Sequence, residues 1–203
     1  MQNSPALLLV MIAVSLYVIW LWWSDYQADK AAKANPRGFP GATAAPARAL
    51  VIALIGAWII LAVETWGEIG LGVSQEQSNM TALFALYTLC AAFVEEVVFR
   101  GFIVIDNKGA GIRWLSIFAA SLLFAALHPF LWEWKDNSLV FHFGSKGIFS
   151  TAIVFISSLW FYTVRFAPFN PRRSLAPCFA AHFGKNFGVI VIKAAQGHFA
   201  GLF

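Results

Sequence analysis

The sequence predicts an all-α, polytopic membrane helix bundle with about six transmembrane helices, four of which form a core that carries polar motifs. Three observations lead there. Of 203 residues, 60% are hydrophobic and 12% charged, against about 25% charged in soluble domains. The apolar residues gather into runs long enough to cross a hydrocarbon core, which takes about 20 residues of helix. Lys and Arg fall mainly in alternate connections between those runs.

Pro5 to Trp23 is nearly unbroken in apolar character and closes on Trp20, Trp22 and Trp23, a pattern expected of an aromatic belt at a membrane interface. No basic segment precedes it and no small-residue cleavage site follows, so it reads as a retained anchor. Asp25 to Ala47 is polar and then rich in Ala, Pro and Gly, an interfacial linker. Residues 1–48 are thus expected to form an anchor and linker, and 49–203 a helical core.

The second span runs from Ala49 to Trp66, followed by a loop bearing Glu64, Glu68 and Glu76. The third covers Thr81 to Ile105. A polar turn, Asp106 to Gly111, leads to a fourth span from Arg113 to about Leu131. An aromatic loop, Trp132 to Gly147, is expected along the interface. The fifth span covers Ile148 to Val164, and after a basic turn, Arg165 to Ser174, the sixth runs from Leu175 to about Ile192.

Orientation follows from the cations, since cytoplasmic loops carry the excess of Lys and Arg. Lys30, Lys33, Arg37, Arg48, Lys108, Arg113, Arg165, Arg172 and Arg173 fall on one side, and Lys135, Lys146 and Lys193 on the other. Loops 24–48, 106–113 and 165–174 are therefore expected in the cytoplasm and both termini outside. The net charge of +4 serves this purpose, and nucleic-acid binding is not expected. Cys90 and Cys178 both lie in apolar runs and do not suggest a disulfide framework. Cys90-Ala91-Ala92-Phe93 resembles a prenylation box, but that signal works only at a C-terminus.

The informative residues are those that contradict their surroundings. Glu95, Glu96 and Arg100 lie inside the third span, where insertion scales put each charge at about 2.5 to 3.5 kcal/mol. Glu96 and Arg100 are four apart and share a helix face, so the guanidinium can neutralise that carboxylate. Glu95 is rotated about 100° away and is left to face something else. Two adjacent carboxylates in a low dielectric cannot both ionise cheaply, an arrangement suited to acid/base work. The fourth span carries Phe124 and His128, the sixth His182 and Asn186, each pair again four apart. If the helices bundle, Glu95, His128, His182 and Asn186 share a destination within the bilayer.

Glu-Glu-x-x-x-Arg, Phe-x-x-x-His and His-x-x-x-Asn, in that order on successive hydrophobic helices, resemble the CAAX protease and bacteriocin-processing (CPBP, or Abi) family of intramembrane proteases. The resemblance covers about Thr81 to Ile192, includes Gly101 after the arginine, and leaves the N-terminal spans unmatched. It implies an intramembrane endopeptidase, with 49–203 as a protease-like core. No serine or cysteine is paired with a base, so direct attack by water is the simpler chemistry. Glu95 with His128 is expected to polarise the water, and His182 and Asn186 to donate hydrogen bonds to the oxyanion. Glu96 and Arg100 would hold the geometry, with Phe124 beside His128. The expected substrate is a membrane-anchored protein or peptide in the lipid bilayer of a prokaryotic inner membrane. No cofactor is expected.

Other readings of the same residues stay open at this stage. Glu95, His128 and His182 offer nitrogen and oxygen ligands that zinc accepts. A chain of Glu and His can relay protons. A non-catalytic immunity or scaffold protein would need none of the chemistry. His182 and Asn186 can simply bond across helices, and Ser121, on the His128 face, can bond its own backbone.

Overall fold

The structure, a computed structural model, describes residues 4–33 and 35–202; the expected placement of the two termini lies outside the described residues. Six long helices account for most of it: α1 (Pro5–Lys30), α2 (Ala47–Gly70), α3 (Ala82–Glu95), α4 (Ala110–Leu127), α5 (Ser145–Phe166) and α6 (Ala176–Ala195). Five helical stretches are long and apolar enough to cross a membrane: α1, α2, α3 with its continuation to Ile103, α4 and α5. The chain is an integral membrane protein. α6 has 20 residues, about 30 Å of helix, and is more polar because it carries His182, Lys185 and Asn186.

Local chemistry sets the helix ends. Pro5 opens α1 at a position where a missing N–H costs nothing. The Thr81 hydroxyl accepts from Phe84 N at 3.2 Å and caps α3. α4 stops at Leu127 and α5 at Phe166, each one residue short of an X-Pro pair, His128-Pro129 and Ala167-Pro168, whose first residue is driven out of the α region. His128 and Ala167 accordingly have ψ of 124° and 152°.

Several expectations are corrected. α1 continues past Trp23 to Lys30, so the linker begins later, and α2 extends to Gly70, placing Glu64 and Glu68 within the helix. Trp20 and Trp23 are exposed as a belt requires, but Trp22 is buried. Its ring lies edge-on to Phe93 of α3 at 5.6 Å and Phe179 of α6 at 4.9 Å. The aromatic loop contains a hairpin, β1 (Trp132–Lys135) paired antiparallel with β2 (Ser138–Phe141) in the register Trp132↔Phe141. Its two-residue turn, Asp136-Asn137, has φ of 50° and 59°, left-handed values that Asp and Asn tolerate and that tight hairpins need.

The third span changes helix type. After Glu95 the chain continues as a π-helix, Glu96–Ile103, a feature that is rare and found mostly at functional sites. A π segment leaves backbone groups to be satisfied from outside, and the Tyr162 hydroxyl of α5 donates to Phe99 O at 2.6 Å.

Small residues allow the helices to approach. Ala49, Ala53 and Ala57, fully buried, run along one face of α2, and Trp160 of α5 donates to Ala53 O at 3.0 Å. Without van der Waals room between backbones such packing fails in a bilayer. At one end of the bundle the three basic connections are tied together: Arg172 forks onto Asp29 at 2.7 and 3.0 Å, Leu175 N donates to Gly41 O at 2.9 Å, and Arg173 pairs with Asp106. At the other end Glu68 accepts from Gln77 and Lys146, and Met80 exchanges backbone bonds with the segment around Phe199.

Candidate active site

The site forms where the α-to-π transition of α3 meets α4, α5 and α6. Arg100, fully buried, is its centre. Its Nη1 lies 3.1 Å from Glu96 Oε1, and its Nη2 donates to Ser158 Oγ at 2.7 Å and Ser158 O at 3.3 Å. The Phe124, Tyr162 and Phe161 rings enclose the guanidinium at 4.5, 4.9 and 5.1 Å. Removed from water, the cation is stabilised by one carboxylate, one hydroxyl, one carbonyl and these three rings. Ser158 Oγ in turn donates to Ser121 Oγ at 3.0 Å, so Ser121 serves a cross-helix bond rather than its own backbone.

The two glutamates differ in access. Glu96 is sealed, with 0% of its side chain exposed, whereas Glu95 retains 33%. His182 lies between them: its Nδ1 is 2.7 Å from Glu96 Oε1 and its Nε2 3.8 Å from Glu95 Oε2. Phe161 stacks on the imidazole at 4.8 Å. The two ring nitrogens thus address the two carboxylates, Nδ1 facing Glu96 and Nε2 turned toward Glu95.

His128 ends α4 with its Nδ1 on Phe124 O at 2.8 Å. A carbonyl only accepts, which places the proton on Nδ1 and leaves Nε2 as the basic nitrogen. Phe124 stands between the two histidines, 4.7 Å from the His128 ring and 6.0 Å from that of His182. Among the described residues His128 forms no ion pair with Glu95.

Asn186 is placed differently from its partners. Its Nδ2 donates to Thr88 O at 3.1 Å, and Thr88 precedes Glu95 by seven residues, about 10 Å along α3. The carboxamide keeps a second N–H and its oxygen for other use. Among the described residues, no three His, Cys, Asp or Glu side chains gather as a metal-holding group.

Residues that the motifs did not point to also belong here. Ser158 and Tyr162 sit four apart on α5, polar groups on one face of an apolar helix, a signal that the sequence contained. Lys185, one turn from His182, is paired with Glu64 of α2 at 2.6 Å. Beside His128 lies a cavity of about 160 Å³ lined by Ala125, Leu131, Trp132, Phe141 and Phe143 among others. The hairpin forms its wall, and Trp132 is pinned to α4 by a 2.7 Å bond to Ala126 O.

No curated protein and no solved structure matches the chain. The family described as type II CAAX prenyl endopeptidase Rce1-like matches residues 77–188. That stretch begins just before α3 and ends within α6, enclosing Glu95, Glu96, Arg100, Phe124, His128, His182 and Asn186. The chain belongs to the Rce1-like family of type II CAAX prenyl endopeptidases.

Proposed function

We propose that the protein is an intramembrane endopeptidase that hydrolyses a peptide bond of a membrane-anchored protein or peptide with a water activated by Glu95. Glu95 takes a proton from water as the hydroxide adds to the carbonyl carbon. It then returns that proton to the amide nitrogen as the carbon–nitrogen bond breaks. His128, fixed through Nδ1 on Phe124 O, presents Nε2 as a second acceptor for the same water. His182, with Nδ1 accepting from a protonated Glu96, donates from Nε2 to the oxyanion, and such a donor contributes about 3 to 4 kcal/mol; Asn186 keeps an uncommitted N–H one turn further along α6. Glu96 and Arg100 are positioning residues.

The observation that carries this reading is His182 seated between a sealed, arginine-paired Glu96 and a partly accessible Glu95. It gives two adjacent carboxylates different environments, as acid/base chemistry near neutral pH requires. The cavity at His128 is suited to an apolar substrate side chain next to the scissile bond. The Lys and Arg excess at the basic end supports a cytoplasmic orientation for it, the prokaryotic inner membrane is proposed by family analogy, and the hydrolysis needs no cofactor.

The test is cleavage of membrane-anchored reporter peptides, prenylated and unprenylated, by purified wild type and Glu95→Gln, with and without chelator. Cleavage lost in Glu95→Gln and indifferent to chelator is the expected result. Cleavage abolished by chelator and restored by zinc would replace the glutamate-activated water with a metal centre, and cleavage retained by Glu95→Gln would sink the assignment of Glu95.

A further inference from the structure

At the basic end of the bundle three arginines converge on one ring. The guanidinium carbons of Arg165, Arg113 and Arg173 lie 5.0, 5.2 and 5.6 Å from the Phe166 centroid. They come from the end of α5, the start of α4 and the α5–α6 connection. Among the described residues Asp106 is the carboxylate that forms ion pairs with them. Its Oδ1 accepts from Arg113 at 3.1 Å and its Oδ2 pairs with Arg173. Arg165 is left over, and it is 8% exposed. Among the described residues its Nε and Nη1 and the Nε of Arg113 are buried without a partner.

Leaving a buried guanidinium unpaired is costly. Among the described residues Arg165 forms no ion pair with Glu96, which is taken by Arg100 and His182, and His128 lies fifteen residues further along α4 from Arg113, about 22 Å. Three guanidiniums against one carboxylate leave two positive charges in excess, and the guanidinium fork is a group that suits the oxygens of a phosphate. The ends of membrane-crossing helices are where lipid headgroups lie. Ile105, Ile112 and Leu115, all exposed, flank the arginines in sequence and offer an apolar surface next to the charge.

We propose that Arg113, Arg165 and Arg173 around Phe166 form a headgroup site for one anionic phospholipid. The phosphate sits against Arg165 and the chains follow Ile105, Ile112 and Leu115. The phosphate chemistry alone would also admit the free anion, whereas the adjoining apolar surface selects the lipid.

The experiment compares full-length wild type, Arg165→Gln, Arg173→Gln and Lys108→Gln in mixed micelles containing phosphatidylglycerol or phosphatidylcholine. Melting temperature and lipid retained in native mass spectrometry are the readouts. Lys108 is exposed in the same connection as Asp106 and controls for diffuse surface charge. Phosphatidylglycerol should raise the wild-type melting temperature by about 5 °C and leave one lipid bound. Arg165→Gln and Arg173→Gln should lose most of the rise and the retained lipid, while Lys108→Gln keeps both. Arg173 is half exposed, so its variant keeps the test open should Arg165→Gln fail to fold. An equal loss in Lys108→Gln, or no loss in Arg173→Gln, would overturn the site. Inorganic phosphate in phosphatidylcholine micelles giving the same rise would overturn the lipid assignment in favour of a free anion.

Discussion

His182 touches both members of the glutamate pair: Nδ1 is 2.7 Å from Glu96 and Nε2 3.8 Å from Glu95. The ring is held in place by the fully buried carboxylate and directed at the partly exposed one. Substitutions at the two glutamates should therefore separate chemistry from architecture.

Glu95→Gln should lower kcat by about 10² to 10⁴-fold, the range for losing a general base, with little change in melting temperature because this side chain is one-third exposed. Glu96→Gln should lower both activity and stability. It leaves the Arg100 cation buried without its carboxylate, a change that costs about 3 to 5 kcal/mol. Thermal unfolding in detergent alongside peptide cleavage distinguishes the two.

Ser158→Ala removes the hydroxyl that accepts from Arg100 and donates to Ser121. A bond to a charged group is worth about 1.5 to 3 kcal/mol, and the loss should appear in denaturant unfolding. Ser158→Thr restores the hydroxyl and should recover most of it. No recovery would mean that packing, rather than the hydrogen bond, holds the arginine.

Gly56→Ala should destabilise by about 1 to 3 kcal/mol, the usual range for overpacking. A Cβ at Gly56 would come within 2.2 Å of the Trp160 ring, and that indole is tethered to Ala53 O. A melting temperature equal to wild type would show that α2 and α5 separate more freely than their contact suggests.

Trp132→Ala opens the cavity beside His128 without touching the ionisable groups. Preference among peptides that differ in the apolar residue beside the scissile bond should shift toward larger side chains, by about 10-fold or more per pocket contact. Competition assays read this directly. Unchanged preference would place the substrate side chain elsewhere.

The helices were legible because spanning a bilayer imposes length and composition on each run, and Thr81, Pro129 and Pro168 mark boundaries by simple stereochemistry. Spacing of four likewise predicts the Glu96–Arg100 contact, and the pair is made. The π segment was not legible, since the same apolar residues serve either winding and only the neighbouring Tyr162 reveals which backbone groups are freed. The hairpin at Trp132 was readable in principle from Asp136-Asn137 between alternating residues, but its aromatic content also suits an interfacial loop. Asn186 shows the limit of spacing: it shares a face with His182, yet α6 runs antiparallel to α3, so one turn along α6 carries it away from the glutamates toward Thr88.

The surroundings of Arg100 also bear on how this protein can change over generations. The arginine of the π segment meets Phe124 of α4 and Ser158, Phe161 and Tyr162 of α5, and reaches α6 through Glu96 and His182. Reactivity and assembly thus draw on the same side chains, and drift at any of them is penalised twice. The hairpin is tied more lightly: its strands pair with each other, its residues are mostly exposed, and Trp132 anchors it to α4. Substitutions at Trp132 and Phe141 can therefore reshape the cavity beside His128 while the ionic centre stays fixed.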